Sequence, residues 1–246
     1  MEVGRGAGRA IAAAVASASR RIWISSPWIG SSYVKVLIDK ALAGVDVRVI
    51  TTDLPDNEGR DLARAADLYG EEELKDAALR VAYWRRRRGS ARVAAVRDPL
   101  LSFSFALALA YLESVEPRYA WLLLAAAASL AAAGIALAIY RVRALRRIEA
   151  QLLAAEAELE RINRSLAAAR EAIRRGLKAL VVPTNVAFVH AKIYIVDDRA
   201  WISSANLTDS GVARNIEVIA EVDPAEAARR FEELWATLSA ELSRRS

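Results

Sequence analysis

Cysteine is absent from the 246-residue sequence, and histidine occurs only once, as His190. Without cysteine the chain can form neither a disulfide bond nor a thiolate metal site, so we expect no metal and no cofactor. Any chemistry that requires an imidazole must therefore use His190.

Charge is also missing from two long stretches, residues 99–112 and 119–140. The second is long enough to cross a bilayer, which takes about 20 residues, whereas the first must extend back to Val93. That extension leaves Arg97 and Asp98 at the membrane surface. Residues 93–140 are therefore predicted to form a transmembrane hairpin. The alternative is a buried helical hairpin of a soluble protein, because the second run holds ten alanines and alanine favours the membrane only weakly.

Arginines flank this hairpin on both sides, whereas its loop, residues 113–118, is net acidic. The flanking arginines are Arg85, Arg86, Arg87, Arg88, Arg92, Arg97, Arg141, Arg143, Arg146 and Arg147. The positive-inside rule then predicts a multi-pass protein of the cell membrane, with both termini and the parts of the chain on either side of the hairpin in the cytoplasm. Two spans also keep the flanking halves of the chain on one side, where they can fold together.

The basic charge is concentrated around the hairpin. The chain has 35 Lys and Arg and 30 Asp and Glu, but residues 85–147 hold 11 of the basic residues and only three acidic ones. The rest carries 24 basic and 27 acidic residues and is net negative. Basic residues beside a span suit anionic lipid headgroups, whereas a nuclease needs positive charge around its active site. The pattern favours the lipid bilayer as a partner.

A heptad pattern follows the hairpin, with apolar residues at alternating spacings of three and four. They are Leu145, Ile148, Leu152, Ala155, Leu159, Ile162, Leu166, Ala169 and Ile173. The pattern predicts a coiled-coil stalk at residues 141–178, ended by Gly176. The stalk either pairs with a second subunit or folds back antiparallel on residues 71–84, and the sequence leaves both alternatives open.

The N-terminal part has an α/β pattern. Strands are predicted at residues 21–27 and 45–52, with a helix at residues 33–43 between them that ends at Gly44. Such a unit forms a parallel pair of strands. The other predicted elements are helices at residues 60–69, 71–84 and 224–242 and strands at residues 180–182 and 215–222. The fold class is therefore α/β, a mixed sheet flanked by helices.

These patterns divide the chain into five segments. Residues 1–56 and 179–246 are two parts of one α/β domain. Between them lie a helical, basic juxtamembrane segment at residues 57–92, the hairpin at residues 93–140 and the stalk at residues 141–178.

The residues around His190 predict a functional site. Residues 187–196 are rich in β-branched and aromatic side chains and predict a strand, on which His190 and Lys192 point the same way. A polar turn and a second strand then return Ser204 and Asn206 towards them. An imidazole can attack phosphorus while Lys192 and Asn206 stabilise the phosphate oxygens, so the set suits a phosphodiester. The alternative is that a lone histidine on a strand is structural.

The spacing H-x-K-x-x-x-x-D of His190, Lys192 and Asp197, followed by S-S-A-N, resembles the HKD signature of the phospholipase D superfamily. The S-P-W after the first strand and the A-x-x-G-V-x-V-R-V that starts at Ala41 also resemble that family. Two departures stand out: Ser203 occupies the place of the family's usual glycine, and the gap after the aspartate is one residue shorter.

The resemblance implies a role for each matching residue. His190 would be the nucleophile that forms a phosphohistidine, or the acid. Lys192, Ser204 and Asn206 would bind the phosphate, and Asp197 would be a supporting carboxylate. The segment N-x-E that ends at Glu217 resembles one whose acidic residue orients a catalytic histidine. The alternative for Glu217 is a charge at a strand edge.

The family mechanism uses two histidines, and this chain has one, so the resemblance implies a homodimer with one shared active site. The sequence as a whole thus predicts a membrane-anchored phosphodiesterase that hydrolyses or transfers a phosphodiester, with a phospholipid as the favoured substrate. Nucleic acid is the alternative substrate. A catalytically silent membrane scaffold or binding module is the alternative function.

Overall fold

The computed structural model describes residues 1–115 and 117–245. The chain divides into two compact units, one formed by Met1–Tyr69 with Leu166–Ser246 and the other by Gly70–Ser165. The first unit thus joins the two ends of the chain, and the second is formed by the segment between them.

The first unit is built on a seven-stranded mixed sheet with the order β1-β7-β6-β5-β2-β3-β4. The strands are β1 (Glu2–Arg5), β2 (Arg21–Ser25), β3 (Asp46–Thr52), β4 (Leu177–Val182), β5 (Ile193–Val196), β6 (Arg199–Ser203) and β7 (Ile216–Val222). β2, β3 and β4 run parallel, and all other pairs are antiparallel. The predicted α/β class and mixed sheet are confirmed.

The helices are α1 (Arg9–Ser17), α2 (Ser31–Leu42), α3 (Ala65–Leu68), α4 (Glu71–Val115), α5 (Ala120–Gly176), α6 (Asp209–Ala213) and α7 (Pro224–Ser243). Short 3₁₀ segments, Glu58–Arg64 and Pro117–Tyr119, precede α3 and α5. Residues 60–69, predicted as one helix, are therefore part 3₁₀ and part α-helix.

Helices cover both faces of the sheet. On one face, Ile11 and Val15 of α1 and Leu37 of α2 are buried in a core with Ile22 and Ile24 of β2. On the other face α7 lies over β2, β5 and β6, where the ring of Phe231 stacks on Trp23 at 5.7 Å. The helix predicted at residues 224–242 thus serves packing.

One predicted strand is wrong in its extent. The strand expected at residues 187–196 begins only at Ile193, and residues 187–192 have no strand structure. Val189 is buried and Ala191 partly buried against the α7 core, so the apolar residues of this loop serve burial and not sheet pairing. The neighbouring β2 ends at Ser25, and Pro27 lies two residues later, so β2 offers no partner for an earlier start of β5.

The second unit consists of parts of α4 and α5, which run antiparallel. Ion pairs join Arg85 to Glu156 at 2.9 Å and Arg92 to Glu149 at 3.1 Å. Further along, the hydroxyl of Ser102 donates to the carbonyl oxygen of Leu130 at 2.9 Å. The segment after the hairpin therefore folds back on the same chain, which is one of the two alternatives that the sequence left open.

Both long helices are long and apolar enough to cross a membrane by length and composition. α4 continues past residue 84 through Pro99 to Val115, and α5 runs without a break from the second uncharged stretch into the heptad segment. The stretches predicted as spans and stalk are thus parts of the same two helices.

Candidate active site

Four strand ends meet at one end of the sheet. Because β5 and β7 run antiparallel to β2 and β6 in the pairs they form, the starts of β5 and β7 lie beside the ends of β2 and β6. The registers pair Ser25 with Ile193, Ile193 with Ile202, and Ser203 with Ile219. The polar residues just beyond these positions therefore come together.

His190 and Lys192 are in contact. The ammonium Nζ of Lys192 lies 3.2 Å from Nε2 of His190 and donates to the His190 carbonyl oxygen at 3.3 Å. Lys192 is only 7% exposed, whereas His190 is exposed and its ring stacks on Phe188 at 5.7 Å. An ammonium can only donate, so the Nε2 lone pair accepts this hydrogen bond, while the imidazole side chain is exposed.

Burial lowers the pKa of Lys192, and the negative charge of Glu217 partly offsets this effect. A buried ammonium with incomplete charge compensation favours an anion beside it. A bound phosphate would supply that charge at the side of the histidine.

Ser204 and Glu217 form the other wall of this region. The Ser204 hydroxyl donates to Oε2 of Glu217 in a short hydrogen bond and accepts from the backbone N–H of Val218 at 3.0 Å. Asn215 Nδ2 donates to Oε1 of Glu217 at 3.3 Å. Among the described residues, Glu217 is therefore bonded to Ser204 and Asn215 and not to His190.

Asn206 has a carboxamide without a partner. Its Oδ1 is buried and makes no hydrogen bond with any described residue. Its backbone is fixed, because the carbonyl oxygen accepts from Thr208 N–H at 2.9 Å and Gly211 packs against it. A Cβ at Gly211 would lie 2.4 Å from that oxygen, so only glycine fits there. The unpaired Oδ1 is an acceptor and suits a ligand that donates, whereas only Nδ2 of the same carboxamide can donate to a phosphate oxygen.

Asp197 lies elsewhere. It follows the far end of β5, about 16 Å along the strand from Lys192 at ~3.3 Å per residue. Its carboxylate accepts from the backbone N–H groups of Ser19, Arg20 and Arg21 at 2.8–3.0 Å. Burial alone would raise the pKa of Asp197, but these hydrogen bonds outweigh burial and lower it. Asp197 thus holds the β5–β6 turn to the start of β2.

Residues that sequence reasoning missed support the loop that carries Ser204 and Asn206. The buried Tyr194 hydroxyl donates to the carbonyl oxygen of Ala205 at 2.6 Å, and burial raises its pKa. Ser26 Oγ accepts from Leu207 N–H at 3.2 Å and donates to the Trp28 carbonyl oxygen at 2.7 Å. The sequence does contain a signal for Tyr194. It lies two residues after Lys192, and side chains two residues apart in an extended segment point to the same side.

Within residues 1–115 and 117–245, no three imidazole or carboxylate groups converge in a way that could hold a metal ion. The region combines a nucleophilic nitrogen, a buried cation, a hydroxyl and a free carboxamide. This arrangement can bind a phosphate group and attack it.

The chain is similar to one family model and to two solved structures. Residues 127–238 match the family model described as cardiolipin synthase, PLD-like domain. Nuc, a phospholipase D family member from Salmonella typhimurium, is 14% identical, with 98% of this chain and 93% of that chain covered and a TM-score of 0.41. NucT from Helicobacter pylori is 10% identical, with 95% and 87% covered and a TM-score of 0.40. No curated protein matches the chain. The family model spans 112 of the 246 residues, so the chain is similar to the PLD-like domain over somewhat less than half of its length, including the segment from His190 to Asn206.

Proposed function

We propose that the protein is a phosphodiesterase of phospholipase D type whose nucleophile is His190. The observation that carries the proposal is the contact between the exposed His190 Nε2 and the buried Lys192 ammonium. In the free protein this ammonium holds the Nε2 lone pair. A phosphate oxygen that takes over the ammonium hydrogen bond releases the lone pair beside the phosphorus atom.

The reaction has two steps. Nε2 forms a bond to phosphorus while the bond from phosphorus to the leaving oxygen breaks, and that oxygen takes a proton from an acid. Water or an alcohol then attacks the phosphohistidine, the P–N bond breaks, and the imidazole regains its lone pair. Lys192 Nζ and Asn206 Nδ2 donate to the phosphate oxygens and stabilise their charge in both steps.

The acid is His190 of a second subunit, because the sequence contains only one histidine. One imidazole attacks, and the other protonates the leaving oxygen from the opposite side and later activates water. The active site is therefore complete only in a homodimer.

An apolar patch beside the site suits this second copy. Val3 of β1, Ile216 and Val218 of β7 and Ile202 of β6 are 41–69% exposed. Val3 pairs with Val218, so these two side chains share one sheet face, and Val218 is also hydrogen-bonded to Ser204. Ile216→Glu is expected to release monomers, whereas Leu153→Glu, at a position on α5 that is 69% exposed, is not.

We also propose that α4 and α5 anchor the protein in the cell membrane. In the most apolar 18-residue stretch of each helix only 11% of the residues are buried, whereas the core helix of a soluble protein is mostly buried. The arginines on both sides of the uncharged stretches favour cytoplasmic termini and a cytoplasmic catalytic domain.

The absence of cysteine makes this topology easy to test. We expect an impermeant thiol reagent added to intact cells to label Ser114→Cys, in the loop between the spans, and not Asp61→Cys, before them. Equal labelling of both variants, or recovery of the protein in the soluble fraction, would contradict the anchor.

We propose a phospholipid as the substrate. An anchored enzyme meets lipid diesters at high local concentration. The chain outside residues 85–147 is net negative, which disfavours a polyanion, and the matching family model is named for a cardiolipin synthase. Nucleic acid remains the second candidate, and a silent scaffold is the third because Ser203 replaces the usual glycine.

The test compares substrates. The full-length protein and a His190→Ala control are incubated with anionic liposomes and with single- and double-stranded DNA. We expect headgroup release by the wild type alone. DNA cleavage with a steep salt dependence and no headgroup release would favour the nuclease, and inertness towards all three substrates would favour the scaffold.

A further inference from the structure

A basic cleft lies between α4 and α5 within the second unit. It encloses about 1100 Å³ and is lined by Arg86 and Arg87 from α4 and by Arg143 and Arg147 from α5. No acidic residue lines it. A volume of this size accommodates a molecule with a polar head and the first part of an acyl chain.

Four arginines of the cleft, Arg86, Arg87, Arg143 and Arg147, make no ion pair with any described residue. Arg87 lies over the ring of Tyr83 at 5.6 Å. Positive charges that line the same cleft repel each other, and an anion between them reduces this repulsion. The cleft is therefore electrostatically suited to a ligand with at least one negative charge.

Arg141 adds a second observation at the same place. One of its terminal nitrogens is paired with Asp98 at 2.5 Å, but its Nε is buried and has no hydrogen-bond partner among the described residues. Arg141 also lines the cleft. An unsatisfied N–H of a guanidinium calls for an acceptor oxygen, and phosphate oxygens match guanidinium geometry.

The remaining lining is apolar and aromatic. Ala94, Ala136 and Ile139 lie on the side of the uncharged stretches, and Trp84 and Tyr140 also line the cleft. Trp and Tyr are enriched where headgroups meet the hydrocarbon layer of a membrane. The cleft thus passes from arginine to apolar side chains where the uncharged stretch of α5 ends at Arg141, and on α4 it lies just before Arg97 and Asp98.

We propose that this cleft binds the phosphate headgroup of an anionic phospholipid, with the arginines on the phosphate and an acyl chain against the apolar side. The site is separate from His190 in sequence, and its lining contains no imidazole. The inference rests on the proposed membrane anchor, because only there does a phospholipid reach the cleft.

The test uses full-length protein in detergent micelles, titrated with phosphatidylglycerol, phosphatidylcholine and inorganic phosphate. The cleft variant is Arg86→Gln with Arg147→Gln. The matched control is Arg88→Gln with Arg146→Gln, which removes the same charge from the same helices at positions that do not line the cleft. At about 1 kcal/mol per basic residue, the cleft variant should bind phosphatidylglycerol roughly 30-fold more weakly, and the control should stay within about threefold of wild type.

An equal loss of affinity for phosphatidylglycerol in both variants would mean that only net charge matters, and it would contradict the proposed binding site in the cleft. Phosphate that binds as tightly as phosphatidylglycerol would overturn the lipid as its ligand. Flotation with neutral vesicles separates the two proposals. Protein that floats with these vesicles but shows no preference for phosphatidylglycerol in the titration supports the membrane anchor and contradicts the cleft site. Protein that does not float at all contradicts both the anchor and the cleft site.

Discussion

At the scale of single residues, two adjacent serines have different tasks. Ser204 donates to Glu217 and is exposed at the site, whereas Ser203 Oγ accepts from Ala205 N–H at 2.9 Å and donates to the Val218 carbonyl oxygen at 3.1 Å. Ser204 is the one proposed to contact the substrate, whereas the two hydrogen bonds of Ser203 stabilise the loop.

We therefore expect Ser204→Ala to lower kcat/KM about 100-fold, because it removes a proposed phosphate ligand, and to cost no more than about 1 kcal/mol of unfolding free energy, because Ser204 is exposed. Ser203→Ala should cost about 1 kcal/mol of unfolding free energy and leave the activity per folded molecule nearly unchanged. Kinetics and denaturant unfolding of both variants check this. The reverse pattern of losses would contradict this division of roles between the two serines.

Asp197 is expected to act on stability. Its hydrogen bonds stabilise the carboxylate, so its contribution is fully present above the unfolded-state pKa of about 3.9 and is lost as pH falls through the lowered folded pKa. At pH 7, Asp197→Asn should reduce the free energy of unfolding by about 1–2 kcal/mol, with partial exposure limiting the effect. The difference from wild type should shrink in acid.

The control for this prediction is Asp198→Asn. Asp198 forms an exposed ion pair with Arg20, which contributes little. Unfolding curves of both variants between neutral and acidic pH make the comparison. A large activity loss in Asp197→Asn without a stability loss would return Asp197 to the active site.

Residue spacing predicted some of these positions and missed others. His190 and Lys192 were expected to share a strand face, and they do meet, although in a loop before β5. The motif spacing grouped Asp197 with them, but β5 carries it to the other end of the sheet. The free Asn206 carboxamide depends on the tertiary contact with Gly211, which no local pattern reports.

At the scale of elements, the strong periodic patterns predicted well and the short ones did not. β2, α2 and β3 follow the predicted β-α-β unit, and Gly44 ends its helix with a φ of +89°. β1 and α6, with four and five residues, are too short to show a period. Their positions depend on pairing with β7 and on the cap at Thr208.

The close approach of α4 and α5 gives a prediction at this scale. A Cβ at Gly134 would lie 3.2 Å from Ser102 side-chain atoms and 3.5 Å from the ring of Phe103, whereas a Cβ at Gly89 would meet nothing within 4 Å. We expect Gly134→Leu to push the helices about 1–2 Å apart, and Gly89→Leu to leave them in place.

Spin labels at the exposed Phe105 and Ile135 can measure this separation by electron–electron double resonance, since the chain has no cysteine of its own. An unchanged distance in Gly134→Leu would mean that the helices do not pack through this glycine.

At the scale of the whole molecule, the proposed mechanism requires two subunits. Co-assembly of wild type with His190→Ala should give mixed dimers with almost no activity, because each shared site then has a single imidazole. Activity of isolated mixed dimers measures this directly. Retention of about half the wild-type activity would mean that each subunit works alone.

The most direct test of the proposed mechanism is to trap the covalent intermediate. Wild-type protein is exposed briefly to a ³²P-labelled phosphodiester, denatured in alkali and digested. Since His190 is the only histidine, an alkali-stable, acid-labile label on its peptide identifies the nucleophile without ambiguity. We expect label on that peptide in the wild type and none in His190→Ala. Product formation without label on the His190 peptide would contradict the phosphohistidine mechanism.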